Sequence, residues 1–212
     1  MSNSYLYTAE DGLTRCWWGS EQLDYRHYHD NEWGHPVADD FRLFEKMSLE
    51  GFQSGLSWLT ILRKRENFRI AFSQFDFNKV ANFTEKDVSR LLLDQGIVRH
   101  RGKITATINN ARCAQQIVAE FGSLAAYIWQ WEPSKVEMHL GKEAHQHPIA
   151  SITATSIALS KALKKRGWKF FGPTTAYAFM QAMGLVNDHH KECVCFEKVA
   201  QLRATFKRPI SK

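Results

Sequence analysis

Between Arg101 and Phe121 the apolar positions Ile104, Ile108, Ala111, Ile117, Val118 and Phe121 keep roughly helical spacing. A periodic run of that length is a helix rather than a strand, and the rest of the chain agrees with it. Asp39 or Asp40 can N-cap a helix carrying Phe41, Phe44 and Met47 on one face. Thr84 can cap a segment with Val88, Leu91 and Leu92 inward. Ser156 can cap a helix that ends in KKRG, with Gly167 just past its end. Pro173 stands where another helix would start and Gly184 where it would stop. Strand signals are poor, and KFFG at 169–172 is too short to count. The expected fold class is all-α. Residues 1–12 and 197–212 read as polar or basic extensions around a single domain at 13–196, the second holding Arg203, Lys207, Arg208 and Lys212.

Composition narrows the function classes. At 212 residues, with 44% hydrophobic and 24% charged, the chain is long enough for one sizeable core. No apolar run approaches the roughly 18 residues of a membrane span. The opening MSNSYLYTAEDG has neither the basic nor the apolar region of a secretory signal, so the expected location is cytoplasmic. In that reducing compartment Cys16, Cys113, Cys193 and Cys195 are expected as free, buried or metal-bound thiols. A net charge of +6 fits a polyanionic partner without requiring one. A monomer is the default expectation.

Three groups of residues carry possible chemistry. DHHKEC at 188–193 sets His189 and Cys193 four apart, on one face if the segment is helical. Cys16 lies far upstream, with His29 and His27 as rival partners. Two cysteines and two histidines would make a closed tetrahedral zinc site; the plainer alternative is a partly buried cysteine with surface histidines. Cys195 is six residues from His189 and would point to another face, and Cys113 fits a helix core. Neither HExxH nor an HxE with PCxxC is present, so a bound zinc would clip the two ends of the chain together and do no chemistry. A closed site also leaves no open position for the water of a zinc hydrolase.

The second group is the turn in LLLDQGIVRHRGKI at 91–104. Gly96 is followed by Arg99, His100, Arg101 and Lys103 at the start of the next helix, where backbone N–H groups and cations attract a phosphate. An ordinary turn with a solvated charged face is the alternative reading, as it is for KALKKRGWK at 161–169. The third group is aromatic. LEGFQSGLSW at 49–58 places Glu50 after an apolar helix face and Trp58 eight residues on, across the sparse Gly51, Ser54 and Gly55. Trp17, Trp18, Tyr25, Tyr28 and Trp33 are further rings. A flat, electron-poor ligand could stack on such rings while a carboxylate reads its edge; taken one at a time, each ring is also a core candidate.

CWWG at 16–19, YHDNEWG at 28–34, LEGFQSGLSW at 49–58, GIVRHRGKI at 96–104, ALKKRGWKFFGPTT at 162–175 and MGLVNDHHKEC at 183–193 resemble the bacterial 3-methyladenine DNA glycosylase type I family. The likeness runs in order over most of the chain. It implies a helix-hairpin-helix glycosylase whose zinc site joins the N- and C-terminal segments, one ion per chain, held by Cys16, His29, His189 and Cys193. It implies a flipped base stacked on Trp58, with Glu50, Tyr25 and Tyr28 lining the same pocket and Trp18 nearby. Residues 96–102 would sit on the phosphates, and the Gly55–Leu56 turn would approach the gap left by the flipped nucleotide. On this reading Gly96, Arg99, Arg101, Gly102 and Lys103 are DNA-binding, and Asp30 to Glu32 satisfy the backbone of a tight turn without chemistry. The expected activity is hydrolytic release of 3-methyladenine from alkylated double-stranded DNA, as a monofunctional enzyme. Wider helix-hairpin-helix glycosylases use an aspartate well downstream of the hairpin. Here no aspartate falls between Asp94 and Asp188, so Glu50 is the best carboxylate. The alternative is a catalytically idle, zinc-stabilised DNA-binding module on the same fold.

Overall fold

A computed structural model describes residues 5–19, 22–134 and 151–211. Residues 1–4 of the expected N-terminal extension and Lys212 of the expected tail lie outside them. The described chain is helical almost throughout, and none of its helices is long and apolar enough to cross a membrane. It divides into two units, one built from residues 1–37, 132–151 and 180–207, the other from 38–131, 152–179 and 208–212.

The second unit contains the long helices. In α2 (Asp40–Gln53), Asp39 is the N-cap, its carboxylate accepting from the Arg42 amide. Every residue from Leu43 to Phe52 is buried. Phe44 and Met47 point inward as expected, while Phe41 stays at the rim, 39% exposed, against Phe77. Because α2 is buried all round, its polar residues Glu45, Lys46, Ser48 and Glu50 are buried too. Such residues need partners, and Glu45 has a bidentate one in Arg69 (2.8 and 2.9 Å). Helices α3 (Trp58–Ala71), α4 (Phe77–Val80) and α5 (Glu85–Leu93) follow. Then comes α6 (Arg101–Phe121), over the predicted span, with Ile104, Ile108, Ala111 and Ile117 in the core. α7 (Leu124–Trp129) is tied back by the Asp40 carboxylate, which accepts from the Leu124 and Ala125 amides. The cap of α8 (Ala154–Lys165) is Thr153, not Ser156. Ser156 is the other half of a capping box: its amide donates to the Thr153 hydroxyl, and its hydroxyl accepts from the Thr153 amide. The KFFG segment is not a strand; Phe170 has φ +54. α9 (Pro173–Ala182) starts at the expected proline.

The first unit opens with a two-stranded antiparallel ribbon that the sequence does not predict. β1 (Leu6–Thr8) pairs with β2 (Thr14–Cys16) in the register Leu6 to Cys16. Part of the expected N-terminal extension is therefore hydrogen-bonded structure. A single 3-10 turn, Trp17–Gly19, leads to α1 (Leu23–Asn31). The expected basic tail is also partly regular: α10 (Cys195–Thr205) runs through it and buries Val199 and Arg203, the latter paired to Glu132 at 2.8 Å. A helix with a buried stripe replaces a loose extension there because Cys195, Val199 and Arg203 recur every fourth residue.

Candidate functional site

The first unit gathers Cys16 from the end of β2, His29 from α1, and His189 and Cys193 from the turn before α10. All four are buried, with ligand atoms within 4.8 Å of one another. His189 and Cys193 come together, but not through the helical spacing that the sequence suggests. The segment is a turn, closed by the Cys193 amide on the His190 carbonyl (2.8 Å). His27, the rival of His29, is exposed and bonded to Asn31.

The donor set fits a tetrahedral ion. Zinc–sulfur and zinc–nitrogen bonds of about 2.3 and 2.0–2.1 Å at the tetrahedral angle place S and N about 3.6 Å apart. Cys193 Sγ lies 3.6 Å from both His29 Nε2 and His189 Nδ1, and Cys16 Sγ lies 3.8 Å from His189 Nδ1. The tautomers agree. His29 Nδ1 faces a carboxylate oxygen of Asp30 at 2.8 Å, which can only accept, so the proton is on Nδ1 and Nε2 keeps its lone pair. His189 Nε2 faces the Trp33 carbonyl at 3.1 Å, so its free lone pair is on Nδ1. Both free nitrogens point at Cys193. Arg15 grips Asp30 through Nε (3.0 Å) and holds Asp11 as well. With the Cys16 and Cys195 thiols as donors to it, the Cys193 thiol is pushed strongly towards thiolate.

Gly19 belongs to this site: a Cβ there would stand 2.5 Å from the His29 ring, so only glycine lets CWWG pass over the ligand. Trp18 lies edge-on to His29 and Trp33 and also meets Tyr25 (5.2 Å). Tyr28 is buried and Tyr25 half-buried. Sequence reasoning missed Asp30, Arg15 and Trp33 as the shell around the cluster; Asp30 and Trp33 lie inside YHDNEWG, but nothing in their spacing assigns them partners. Cys195 approaches His29 Nδ1 (3.8 Å) and Asp30 Oδ1 (3.6 Å) and packs with Cys16 and Cys193.

The second unit carries the carboxylate and the tryptophan. Glu50 lies in the last turn of α2 and Trp58 opens α3, whose N-cap Ser57 accepts from the Thr60 amide. Both are buried. A residue the sequence reading did not single out joins them. Lys46, one turn before Glu50, puts Nζ 2.6 Å from Glu50 Oε1 and 3.2 Å from the centroid of the Trp58 ring. The i, i+4 spacing was legible, but its burial was not. Between them the chain turns at Gly55, φ +81, a conformation that favours glycine, and leaves Leu56 42% exposed.

α5 and α6 are joined by a turn at 94–100, where the sequence places a helix end and the start of the next helix. The Asp94 side chain accepts from the Gly96 amide (2.7 Å), and Lys64 and Asn67 of α3 donate to the Gln95 and Gly96 carbonyls. His100 is the N-cap of α6, Nδ1 accepting from the Lys103 amide. Arg99 is exposed; Arg101 pairs with Glu85. Lys103 departs from expectation. It is buried, and its ammonium donates to the carbonyls of Phe52 (2.9 Å) and Ser54 (2.6 Å), so its charge satisfies the C-terminal end of α2 rather than facing solvent. Burial lowers its pKa.

A family model described as methyladenine glycosylase matches residues 17–196. DNA-3-methyladenine glycosylase 1 of Escherichia coli (strain K12) is 49% identical over 184 residues, 87% of this chain and 97% of that protein. The DNA-3-methyladenine glycosylase of Haemophilus influenzae is 46% identical over 182 residues, 86% and 97% of the two chains. The solved 3-methyladenine DNA glycosylase I from Staphylococcus aureus, a structure concerned with 3-methyladenine recognition, superposes with a TM-score of 0.77 at 36% identity, covering 84% of this chain and 94% of that one.

Proposed function

Because this chain belongs to the methyladenine glycosylase family, we infer that it excises 3-methyladenine from alkylated double-stranded DNA. The observation that carries this reading is the buried pair Glu50 and Trp58, which together already hold a cation, the Lys46 ammonium. A purine methylated at N3 in DNA is itself a flat cation. Flipping it out of the stack costs a few kcal/mol, least for a damaged base. Stacking on Trp58 and a nearby carboxylate return part of that cost selectively, a cation–π contact being worth about 0.5–2 kcal/mol.

The chemistry asked of the protein is then modest. The C1′–N9 bond breaks and its electron pair goes to the base, which leaves neutral. Water adds to C1′ and gives up a proton. Glu50 serves first in recognition of the cationic base; accepting the proton of the attacking water is its second role. No lysine is assigned to a Schiff base, so excision is monofunctional. Trp18, Tyr25 and Tyr28 retain their base-facing assignment from the family likeness. The α5–α6 turn, read as a helix-hairpin-helix, meets the phosphates through Gly96, Arg99, Arg101 and Gly102, and Gly55–Leu56 approaches the vacated stack. Lys103 supports that turn from behind. Cys16, His29, His189 and Cys193 would hold one zinc ion of structural type, which supplies cross-linking and no catalysis. A monomer in the cytoplasm completes the reading.

The test is chromatography of free bases released from methylated duplex by the purified protein beside a Glu50→Gln variant. A 3-methyladenine peak, reduced in the folded variant, is expected. No peak from folded wild-type protein would leave only a DNA-binding module.

A further inference from the structure

Lys46 contacts both Glu50 and Trp58, and the functional reading leaves it without a task. Burying an ammonium on α2, where Leu43, Met47 and Leu49 are buried too, is costly unless the charge is paired. An apolar side chain of the same length would fill that position without the cost. The lysine has instead been placed on both groups assigned to the base, 2.6 Å from the carboxylate and 3.2 Å from the indole centroid.

We propose that Lys46 is a specificity-determining residue: its ammonium is a resident cation on Glu50 and Trp58 that an incoming base must displace. The inference rests on the base-site reading above. Displacement acts as a charge filter. A cationic base replaces the ammonium like for like, restoring an ion pair to Glu50 and a cation to the ring. A neutral base breaks the same two contacts and restores only stacking, leaving the buried carboxylate without its counter-charge. Undamaged adenine is thereby rejected by a competitor already in place, a repulsive element rather than an added attraction. The flexible four-carbon stem of lysine lets the ammonium withdraw and return, which a rigid fork would do less readily.

The experiment uses two stable probes that differ in charge: 9-methyladenine, neutral, and 3,9-dimethyladenine, a permanent cation with a methyl group in place of the sugar. NMR titration gives their affinities for wild type, Lys46→Met, Lys46→Arg and Trp58→Ala. Lys46→Met is expected to bind 9-methyladenine roughly tenfold more tightly than wild type, the equivalent of one lost cation–π contact of about 1.4 kcal/mol. Lys46→Arg, which keeps the charge, is expected to gain nothing. In the wild-type protein the ring-current shift of the Lys46 ε-methylene should disappear as 3,9-dimethyladenine saturates the site, a readout independent of how well the methionine variant folds. The proposal is overturned if that shift survives saturation, or if folded Lys46→Met binds 9-methyladenine no better while 3,9-dimethyladenine still binds in a Trp58-dependent way; the base site then stands without a charge filter. If 3,9-dimethyladenine binding is absent, or indifferent to Trp58→Ala, the base-site reading itself fails and takes the filter with it.

Discussion

His29 and His189 illustrate how much single residues depend on partners that do not approach the same centre. Each ring has one nitrogen fixed by an oxygen, Asp30 for His29 and the Trp33 carbonyl for His189, and this turns the other nitrogen's lone pair to Cys193. Arg15 in turn fixes Asp30, holding its carboxyl below the usual range against the burial that raises it. Asp30→Ala is therefore expected to weaken metal binding about 10–100-fold without removing a ligand, as measured by competition with a chromophoric chelator. An unchanged affinity would mean that Asp30 only closes the turn, which is the role the sequence predicts for it. Spacing could not choose between His27 and His29, because both fall within a turn of one helix; burial chooses, leaving His27 in solvent. Lys46 was hidden for the opposite reason. A lysine four residues before a glutamate is the ordinary pattern of a solvated helix face, and only the layers covering α2 make it a buried cation.

Helix ends were the most legible elements. Asp39, Thr84 and Gly167 are where side-chain and backbone chemistry place caps, since these depend on neighbours within four residues. Thr84→Ala should cost about 1 kcal/mol in chemical denaturation, through loss of the α5 capping box. The partner in that box, Asp87, has its pKa lowered by the Thr84 amide and also by the Thr84 hydroxyl, the one of these two contacts that alanine removes. A carboxylate depressed in the folded state stabilises above its unfolded pKa, and that contribution disappears as pH falls through the lower folded value. The stability lost on Thr84→Ala should therefore shrink below about pH 4. The ribbon β1–β2 was not legible, because three-residue strands are too short to display an alternation. Nor was the inward turn of Lys103, whose carbonyl partners lie about fifty residues back. Lys103→Met should leave the salt slope of duplex binding unchanged while lowering affinity, as support for the Gly55 turn is lost. Arg99→Ala should reduce that slope by about one. Equal slopes for both variants would return Lys103 to the phosphate-facing set.

At the scale of the whole molecule, the first unit is assembled from segments far apart in sequence, and its metal-type cluster joins residues 16 and 29 to 189 and 193. Chelation, or Cys193→Ser, should lower Tm by about 10 °C or more, since ligation free energy of a structural zinc is folding free energy. Activity per folded molecule should survive at low temperature; loss of activity at unchanged Tm would instead argue for a catalytic ion. What the sequence determined by itself is what short-range chemistry controls: the helical class, most helix boundaries, and the motif series from CWWG to DHHKEC with the chemistry of its side chains. The tertiary structure decided what depends on which surfaces are covered. It buried His29 and not His27, turned Lys103 inward to the end of α2, folded part of the expected tail into α10, and set a lysine between Glu50 and Trp58. A side chain's local pattern records its spacing along the chain, while the dielectric and the partners around it exist only once other elements have packed against it.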